Sequence, residues 1–210
     1  MKFILDIQTT SAPGVEDSFY LNWAMKRGSR SSEEALRKAG MHAEFGFICG
    51  VALLPVGIHG VPDESRLVTL TAKDPKEEDV LLSKLREYLQ DPSSIIIGHN
   101  VKCFDIPYLT KRFLAHQYII PEALQRAIYN DQYVDVMQIL ACNGGSLMSL
   151  RATAYMLGIE DPLSDVDQQK SVYELHASGN LARIAEIGRI NVRVTWQVYT
   201  TLVESKLIKE

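Results

Sequence analysis

The spacing of apolar and polar residues along the chain predicts strands in the first half and mostly helices in the second. Short apolar runs without helical spacing predict strands at KFILDIQ (2–8), EFGFICGVALL (44–54), SRLVTLTA (65–72) and SSIIIGHN (93–100). Apolar residues at helical spacing predict helices at residues 74–92, 104–117, 146–159 and 180–206. Residues 11–45 are polar and irregular, with a helical stretch at 26–40, and are interpreted as an insertion. This order predicts an α/β fold, a sheet with helices on its faces, in one domain spanning residues 1–210.

The composition narrows the class of protein. A length of 210 residues with 46% hydrophobic residues is typical of one sizeable globular domain. The three cysteines form no CxxC pair, so neither a disulfide framework nor a zinc site is expected, and a reducing cytoplasm is favoured. We expect no signal peptide, because the N-terminus lacks a basic segment followed by an apolar stretch and a small-residue cleavage site. We expect no membrane span, because the apolar runs stop short of the ~20 residues that a span needs. The net charge of −4 argues against a general nucleic-acid coat but leaves room for a local basic groove.

Polar residues at the ends of predicted strands are the first candidates for chemistry, because open α/β sheets bind ligands there. Asp6 and Gln8 share one face of the first strand, since strand side chains repeat every two residues. Asp105 opens a helix soon after another strand, a position where most aspartates act as N-caps. His99 and Asn100 lie between that strand and helix and, taken singly, are explained by a turn.

Taken together, these stretches resemble the DEDD-type 3′–5′ exonucleases of the ribonuclease H-like superfamily, particularly those similar to the proofreading domain of family B DNA polymerases. The resemblance is carried by GHNVKCFDIPYLTKR (98–112), VDVMQIL (134–140) and SLRATAYMLGI (149–159), after the opening strand KFILDIQ. A weaker match is the final helix, IAEIGRINVRVTWQVY (184–199). The resemblance covers essentially the whole chain and implies a mixed five-stranded sheet flanked by helices, with the first strand at its centre.

The resemblance also implies a two-metal mechanism. In the family, four carboxylates hold two Mg²⁺ or Mn²⁺ ions about 3.5–4 Å apart, and a Tyr or His orients the attacking water. Asp6 and Asp105 match two of the carboxylates and are the expected metal ligands here. Gln8 stands where the family has Glu, Asn191 stands where it has the last Asp, and Ile187 stands where it has the Tyr.

These substitutions predict a degraded catalytic site. A carboxamide offers a metal one neutral oxygen, whereas a carboxylate brings a full charge and can bind through both oxygens. A loss of ~4 kcal/mol would weaken metal binding by about three orders of magnitude. We therefore expect weak or absent binding of Mg²⁺ or Mn²⁺, and weak or no nuclease activity.

The resemblance implies that the partner is the 3′ end of single-stranded DNA or RNA, and no protein partner is indicated. His99 and Asn100 are expected beside the terminal nucleotide, and Arg112 and Lys170 are the better candidates for phosphate contacts. Other basic residues, such as Lys102, are interpreted as solvated surface.

Three hypotheses stay open at the level of sequence. The first is an exonuclease fold that binds single-stranded ends and cleaves them poorly or not at all. The second is an active exonuclease with an altered ligand set that uses Asp6, Asp105 and a nearby carboxylate such as Asp135. The third is a pseudoenzyme retained as a protein-interaction module.

Overall fold

The computed structural model of the protein describes residues 1–17, 19–26, 29–57, 60–142, 145–163 and 170–208. The strands are β1 (Lys2–Ser11), β2 (Gly46–Val56), β3 (Val68–Thr71), β4 (Ile95–Gly98) and β5 (Tyr133–Asp135). The helices are α1 (Phe19–Lys26), α2 (Ser32–Ala39), α3 (Pro75–Tyr88), α4 (Asp105–Ala115), α5 (Glu122–Asn130), α6 (Val136–Leu140), α7 (Leu150–Leu157), α8 (Val172–Ala177) and α9 (Leu181–Glu204).

The five strands form one mixed sheet in the order β3-β2-β1-β4-β5. β1 pairs antiparallel with β2 and parallel with β4, and β5 extends the parallel part of the sheet. The predicted α/β fold, with five strands flanked by helices and the first strand at the centre, is confirmed.

The two faces of the sheet carry separate apolar cores, because side chains alternate along each strand. Phe3, Leu5 and Ile7 of β1 belong to the core that includes residues from α3, α4 and α5. Ile4, on the opposite face, belongs to the core formed with α9, including Val192. Asp6 and Gln8 have the same parity as Ile4, so they lie on the face that α9 covers.

Two glycines let α9 lie close to the sheet. A Cβ on Gly188 of α9 would lie 3.1 Å from the Cβ of Ala52 in β2. A Cβ on Gly50 of β2 would lie 2.8 Å from Cγ2 of Ile184, which is closer than real Cβ atoms approach. The absence of a side chain at both positions therefore brings the middle of α9 directly over β1 and β2.

The predicted insertion at 11–45 contains α1 and α2. These helices pack on a small apolar cluster of their own that includes Tyr20, Ala24 and Ala35. The far end of α2 is fixed to the main sheet, because Tyr108 of α4 donates a hydrogen bond to the carbonyl oxygen of Gly40 at 3.0 Å. Within the described ranges, no helix combines the length and apolar character that crossing a bilayer requires.

Candidate nucleic-acid site

The site is built where β1 continues past the end of its parallel neighbour. β4 pairs with β1 only as far as Ile4 and ends at Gly98, whereas β1 runs on to Ser11. Asp6 therefore lies in the middle of a ten-residue strand, not at its end as the sequence predicted. The N–H of Ile7 has no partner in β4, and it donates to Oδ1 of Asp105 at 3.0 Å.

That hydrogen bond also corrects the N-cap interpretation of Asp105. Asp105 is the first residue of α4, whose N-cap is Phe104, and Phe104 makes no side-chain cap. Its carboxyl group instead closes the gap left beside β1 and is only 4% exposed. The residue is therefore directed at the site by long-range pairing and not by local helix geometry.

Asp6 is the centre of a hydrogen-bonded cluster with two carboxamides. Nδ2 of Asn191 donates to Oδ2 of Asp6 at 3.1 Å, and Nε2 of Gln8 donates to the same oxygen. Asn191 comes from the middle of α9, so the close packing of that helix brings it to β1. The structure thus joins Asp6, Gln8 and Asn191 by direct contacts and places Asp105 beside them on the neighbouring N–H of β1.

The electrostatics of the two carboxyl groups follow from burial. Burial raises the pKa of Asp6 from 3.8 to about 7, and the hydrogen bonds from Asn191 and Gln8 oppose that rise only in part. The pKa of Asp105 is also raised well above its ordinary value, first by burial and then by the negative charge of Asp6. A site built for two divalent cations would instead gather enough carboxylates to offset four positive charges.

The residues present do not fit the two-metal centre implied by the family resemblance. The amides of Gln8 and Asn191 direct N–H groups at Asp6, so they act as donors to a carboxylate and not as oxygen ligands. Among the described residues, no group of three or more His, Cys, Asp and Glu side chains is arranged to hold a metal ion. The disagreement lies in the chemistry of the donor set, which has two carboxyl groups where the family has four.

Asp135 does not complete the set. Its Oδ1 accepts the backbone N–H groups of Asn100, Met137 and Gln138, and its Oδ2 accepts that of Lys102 at 3.1 Å. The residue is 3% exposed and serves as the N-cap of α6 while holding the turn after β4. Its lone pairs are therefore directed at N–H donors and not at a cation.

Ile187 lies one helical turn before Asn191, as the register of the last helix predicts. It is half-buried and packs against an apolar cluster that includes Phe47, Leu175 and Ile184. An alkyl side chain has no group that could orient a water molecule.

The residues predicted to meet nucleic acid occupy different environments. Asn100 adopts a left-handed conformation with φ of 66°, and its N–H is bound by Asp135 at 3.0 Å. The ring of His99 is hydrogen-bonded to the backbone of Met148, burial lowers its pKa, and its Nε2 is buried without a partner within the described residues. Lys170 is exposed beside α8, and residues 164–169 of its family-like segment lie outside the described residues.

Arg112 is committed to a buried ion pair. Its Nε donates to Oε1 of Glu78 at 2.9 Å, and its Nη1 donates to the carbonyl oxygen of Ala43 at 3.0 Å. Glu78 is fully buried and also accepts the N–H of Ile48 and a hydrogen bond from His116. The guanidinium of Arg112 therefore stabilises the packing of α4 on α3 and β2.

A cleft beside Gln8 contains residues that the sequence analysis did not single out. It has a volume of about 420 Å³, and its lining includes Gln8, Arg37, Lys38, Phe104 and Tyr173. A local excess of positive charge in the insertion could have indicated them. Positions 26–42 carry five basic and two acidic residues, although the whole chain has a net charge of −4. Only the tertiary structure places two of those basic residues next to the site.

Comparisons with known proteins agree with this architecture. The RNase_H_2 model of the RNase_H superfamily matches residues 50–202, and no curated protein matches the chain. Each solved structure that follows is similar to this chain in fold, and the chain spans less than half the length of each.

The family B DNA polymerase from Pyrobaculum calidifontis matches with a TM-score of 0.58 and 15% identity, covering 96% of this chain and 24% of the polymerase chain. Exonuclease I from Methylocaldum szegediense matches with a TM-score of 0.52 and 15% identity, covering 98% of this chain and 41% of the enzyme. E. coli exonuclease I in complex with a dA16 oligonucleotide matches with a TM-score of 0.51 and 13% identity, covering 95% of this chain and 43% of the enzyme.

The family model confirms the predicted ribonuclease H-like superfamily, and the exonuclease I and family B DNA polymerase structures share the fold that the resemblance implied. The matched range includes β4, α4 and most of α9, and thus Asp105 and Asn191. The chain belongs to the RNase_H_2 family of the RNase H superfamily.

Proposed function

We propose that the protein binds the 3′ ends of single-stranded nucleic acid and hydrolyses them weakly or not at all. The exonuclease-like fold supports a role at strand ends, and E. coli exonuclease I, which shares the fold, is seen in complex with oligonucleotides. A cytoplasmic location is part of this proposal, as is the involvement of either DNA or RNA.

The single observation that carries the proposal is the cluster around Asp6. Two amide N–H groups occupy Oδ2 of Asp6, where the resembled family has carboxylates that share metal ions. Removing two negative charges from a two-metal site greatly weakens the attraction for divalent cations. Without well-held cations, the leaving oxygen and the attacking water lose the stabilisation that drives hydrolysis.

The alternative of an active enzyme with an altered ligand set needs a third carboxylate. Asp135 is the nearest candidate from the sequence, but its two oxygens accept four backbone N–H groups. Freeing it would uncap α6 and release the turn after β4. This cost favours the binding role over the active enzyme.

A role as a protein-interaction module is favoured by one other feature. An apolar groove of about 390 Å³ runs between α4 and α5, lined in part by Ile106, Pro107 and Ile128. The lining of this groove includes none of Asp6, Gln8 and Asn191.

Two assays on the full chain test the proposal. The first measures fluorescence anisotropy of 5′-labelled oligothymidylate and oligouridylate over a range of salt concentrations, and binding that weakens as salt rises is the expected result. The second follows the same labelled strands with Mg²⁺ or Mn²⁺ on a sequencing gel. Efficient shortening from the 3′ end would overturn the weak-activity part of the proposal, and absence of binding to either strand would overturn the binding part.

A further inference from the structure

We propose that the cleft beside Gln8 holds the phosphate backbone without divalent metal, through Arg37 and Lys38 of α2. The inference rests on the proposed function and extends it by assigning the phosphate contacts to the insertion. It replaces metal-mediated contact by direct contact with two basic side chains.

The first support is the fixed position of α2 against the sheet. A Cβ on Gly40, which follows α2, would lie only 2.8 Å from the Cα of Thr10, so the end of the helix touches the backbone of β1. Tyr108 adds a hydrogen bond to the carbonyl oxygen of Gly40 at 3.0 Å. Arg37 and Lys38 lie in the last turn of α2, close to this contact, so their backbone is held beside the cleft.

The second support is the charge state of the cleft. Gln8 contributes a neutral amide at the position where the resembled family carries a glutamate, so no carboxylate at that position repels a phosphate. Lys38 pairs with Glu34 at 2.7 Å, but the pair is solvent-exposed and such pairs contribute little, so the lysine can exchange partners. Arg37 is exposed and, within the described part of the chain, forms no ion pair within 4 Å. Its charge is nevertheless felt by Glu174, because it helps to lower the pKa of that carboxyl group after the hydrogen bonds from Ser171.

The third support is the aromatic part of the cleft lining. Tyr173 of α8 and Phe104 also line the cleft and give it aromatic surface. Glu174, the neighbour of Tyr173, is occupied by the N–H and hydroxyl of Ser171 at 2.6 and 2.8 Å, which directs it into the cap of α8. Basic side chains and aromatic rings in one cleft are the combination with which proteins bind single-stranded nucleic acid.

The test compares the wild-type protein, the double variant Arg37→Ala with Lys38→Ala, and a control with the same change of net charge. The control is Lys84→Ala with Arg126→Ala, two exposed residues of α3 and α5 that do not line the cleft. Alanine favours helix, so both double variants should keep their fold, which circular dichroism checks. The probe is 5′-fluorescein oligothymidylate, measured by anisotropy in EDTA and in Mg²⁺ over a salt series.

We expect equal affinity of the wild-type protein in EDTA and in Mg²⁺. The variant Arg37→Ala with Lys38→Ala loses two phosphate contacts, so its plot of log affinity against log salt concentration should be less steep by about 1.4. This change corresponds to about 25-fold weaker binding near ~0.1 M salt. The control should bind like the wild type. In EDTA, Gln8→Glu should bind about fivefold more weakly, the effect of one unit charge about 4 Å from a phosphate in water.

The possible failures are distinguishable. If the wild type binds but the Arg37 and Lys38 variant behaves like the control, the assignment of the cleft is wrong and the proposed function stands. If the wild type binds only with Mg²⁺, metal-independent contact is wrong. If the wild type binds no strand under any condition, the proposed function is overturned and this inference with it.

Discussion

The double change Gln8→Glu with Asn191→Asp should make the stability of the protein depend on divalent metal. Both replacements keep side-chain length, so the packing of α9 on β1 is not expected to change. What changes is the environment of Asp6, which exchanges two N–H donors for two carboxylates on the same oxygen. Near neutral pH and without metal, these groups repel one another, and some must take up protons.

The magnitude follows from the hydrogen bonds that are lost. A hydrogen bond to a charged acceptor contributes about 1.5–3 kcal/mol, and partial protonation relieves part of the repulsion, so we expect a net loss of about 3 kcal/mol in EDTA. For a domain of this size, that loss lowers Tm by about 6–12 °C. Mn²⁺ at about 100 times its Kd should return about 2.7 kcal/mol, because it binds only the folded state.

Thermal melts followed by circular dichroism, in EDTA and in Mn²⁺, measure both effects, and calorimetric titration measures metal affinity. The matched control is Asn180→Asp with Gln197→Glu, which makes the same chemical changes at the N-cap and on the exposed face of α9. Aspartate is as good an N-cap as asparagine, so the control should melt near the wild type in both buffers. A double variant at positions 8 and 191 that melts like the control in EDTA, or that gains nothing from Mn²⁺, would refute the reasoning.

Three further outcomes are expected. The pKa of Asp6 is about 7 in the folded protein and near 3.8 when the group is exposed, so the unfolded state loses its proton first as pH rises. The free energy of unfolding should therefore fall by up to about 1.4 kcal/mol per pH unit between about pH 4 and about pH 7. Urea titrations across that range should show a weaker pH dependence of stability for Asp6→Asn than for the wild type. Adding Ile187→Tyr to the variant Gln8→Glu with Asn191→Asp should raise the single-turnover rate of strand digestion. Ile187→Tyr alone should leave digestion as weak as in the wild type. If the double carboxylate variant digests at the same rate with and without the tyrosine, a water-orienting role at position 187 is excluded. Glu78→Gln should cost about 3–5 kcal/mol in urea unfolding, because it removes the buried charge that pairs with the half-buried Arg112. Glu44→Gln, in an exposed pair with Lys111, should cost less than about 1 kcal/mol.

Much of the fold was already determined by local patterns in the sequence. The short apolar run of KFILDIQ predicts a strand, strand geometry puts Asp6 and Gln8 on one face, and that face is the one that α9 covers. Glycine is the residue that most often ends a helix in the left-handed conformation, and Gly158 ends α7 in this way with φ of 67°. The register of the last helix placed Asn191 at the position of the family's last carboxylate, and the structure has Asn191 hydrogen-bonded to Asp6. Such features depend on periodicity and local conformation, which are read along the chain.

The tertiary structure decided the partners of the polar groups. Asp105 reads as an N-cap in sequence, but the early end of β4 leaves the N–H of Ile7 for it to bind. Arg112 reads as a phosphate contact, but the buried carboxylate of Glu78, 34 residues away in sequence, occupies its guanidinium. Arg37 reads as part of a solvated helix, but the contact of Gly40 with β1 sets it at the edge of the cleft. Each outcome depends on which groups, distant in sequence, are buried together away from water. A buried donor or acceptor pairs with the partner that the fold brings near, because a buried polar group without a hydrogen bond destabilises the folded state.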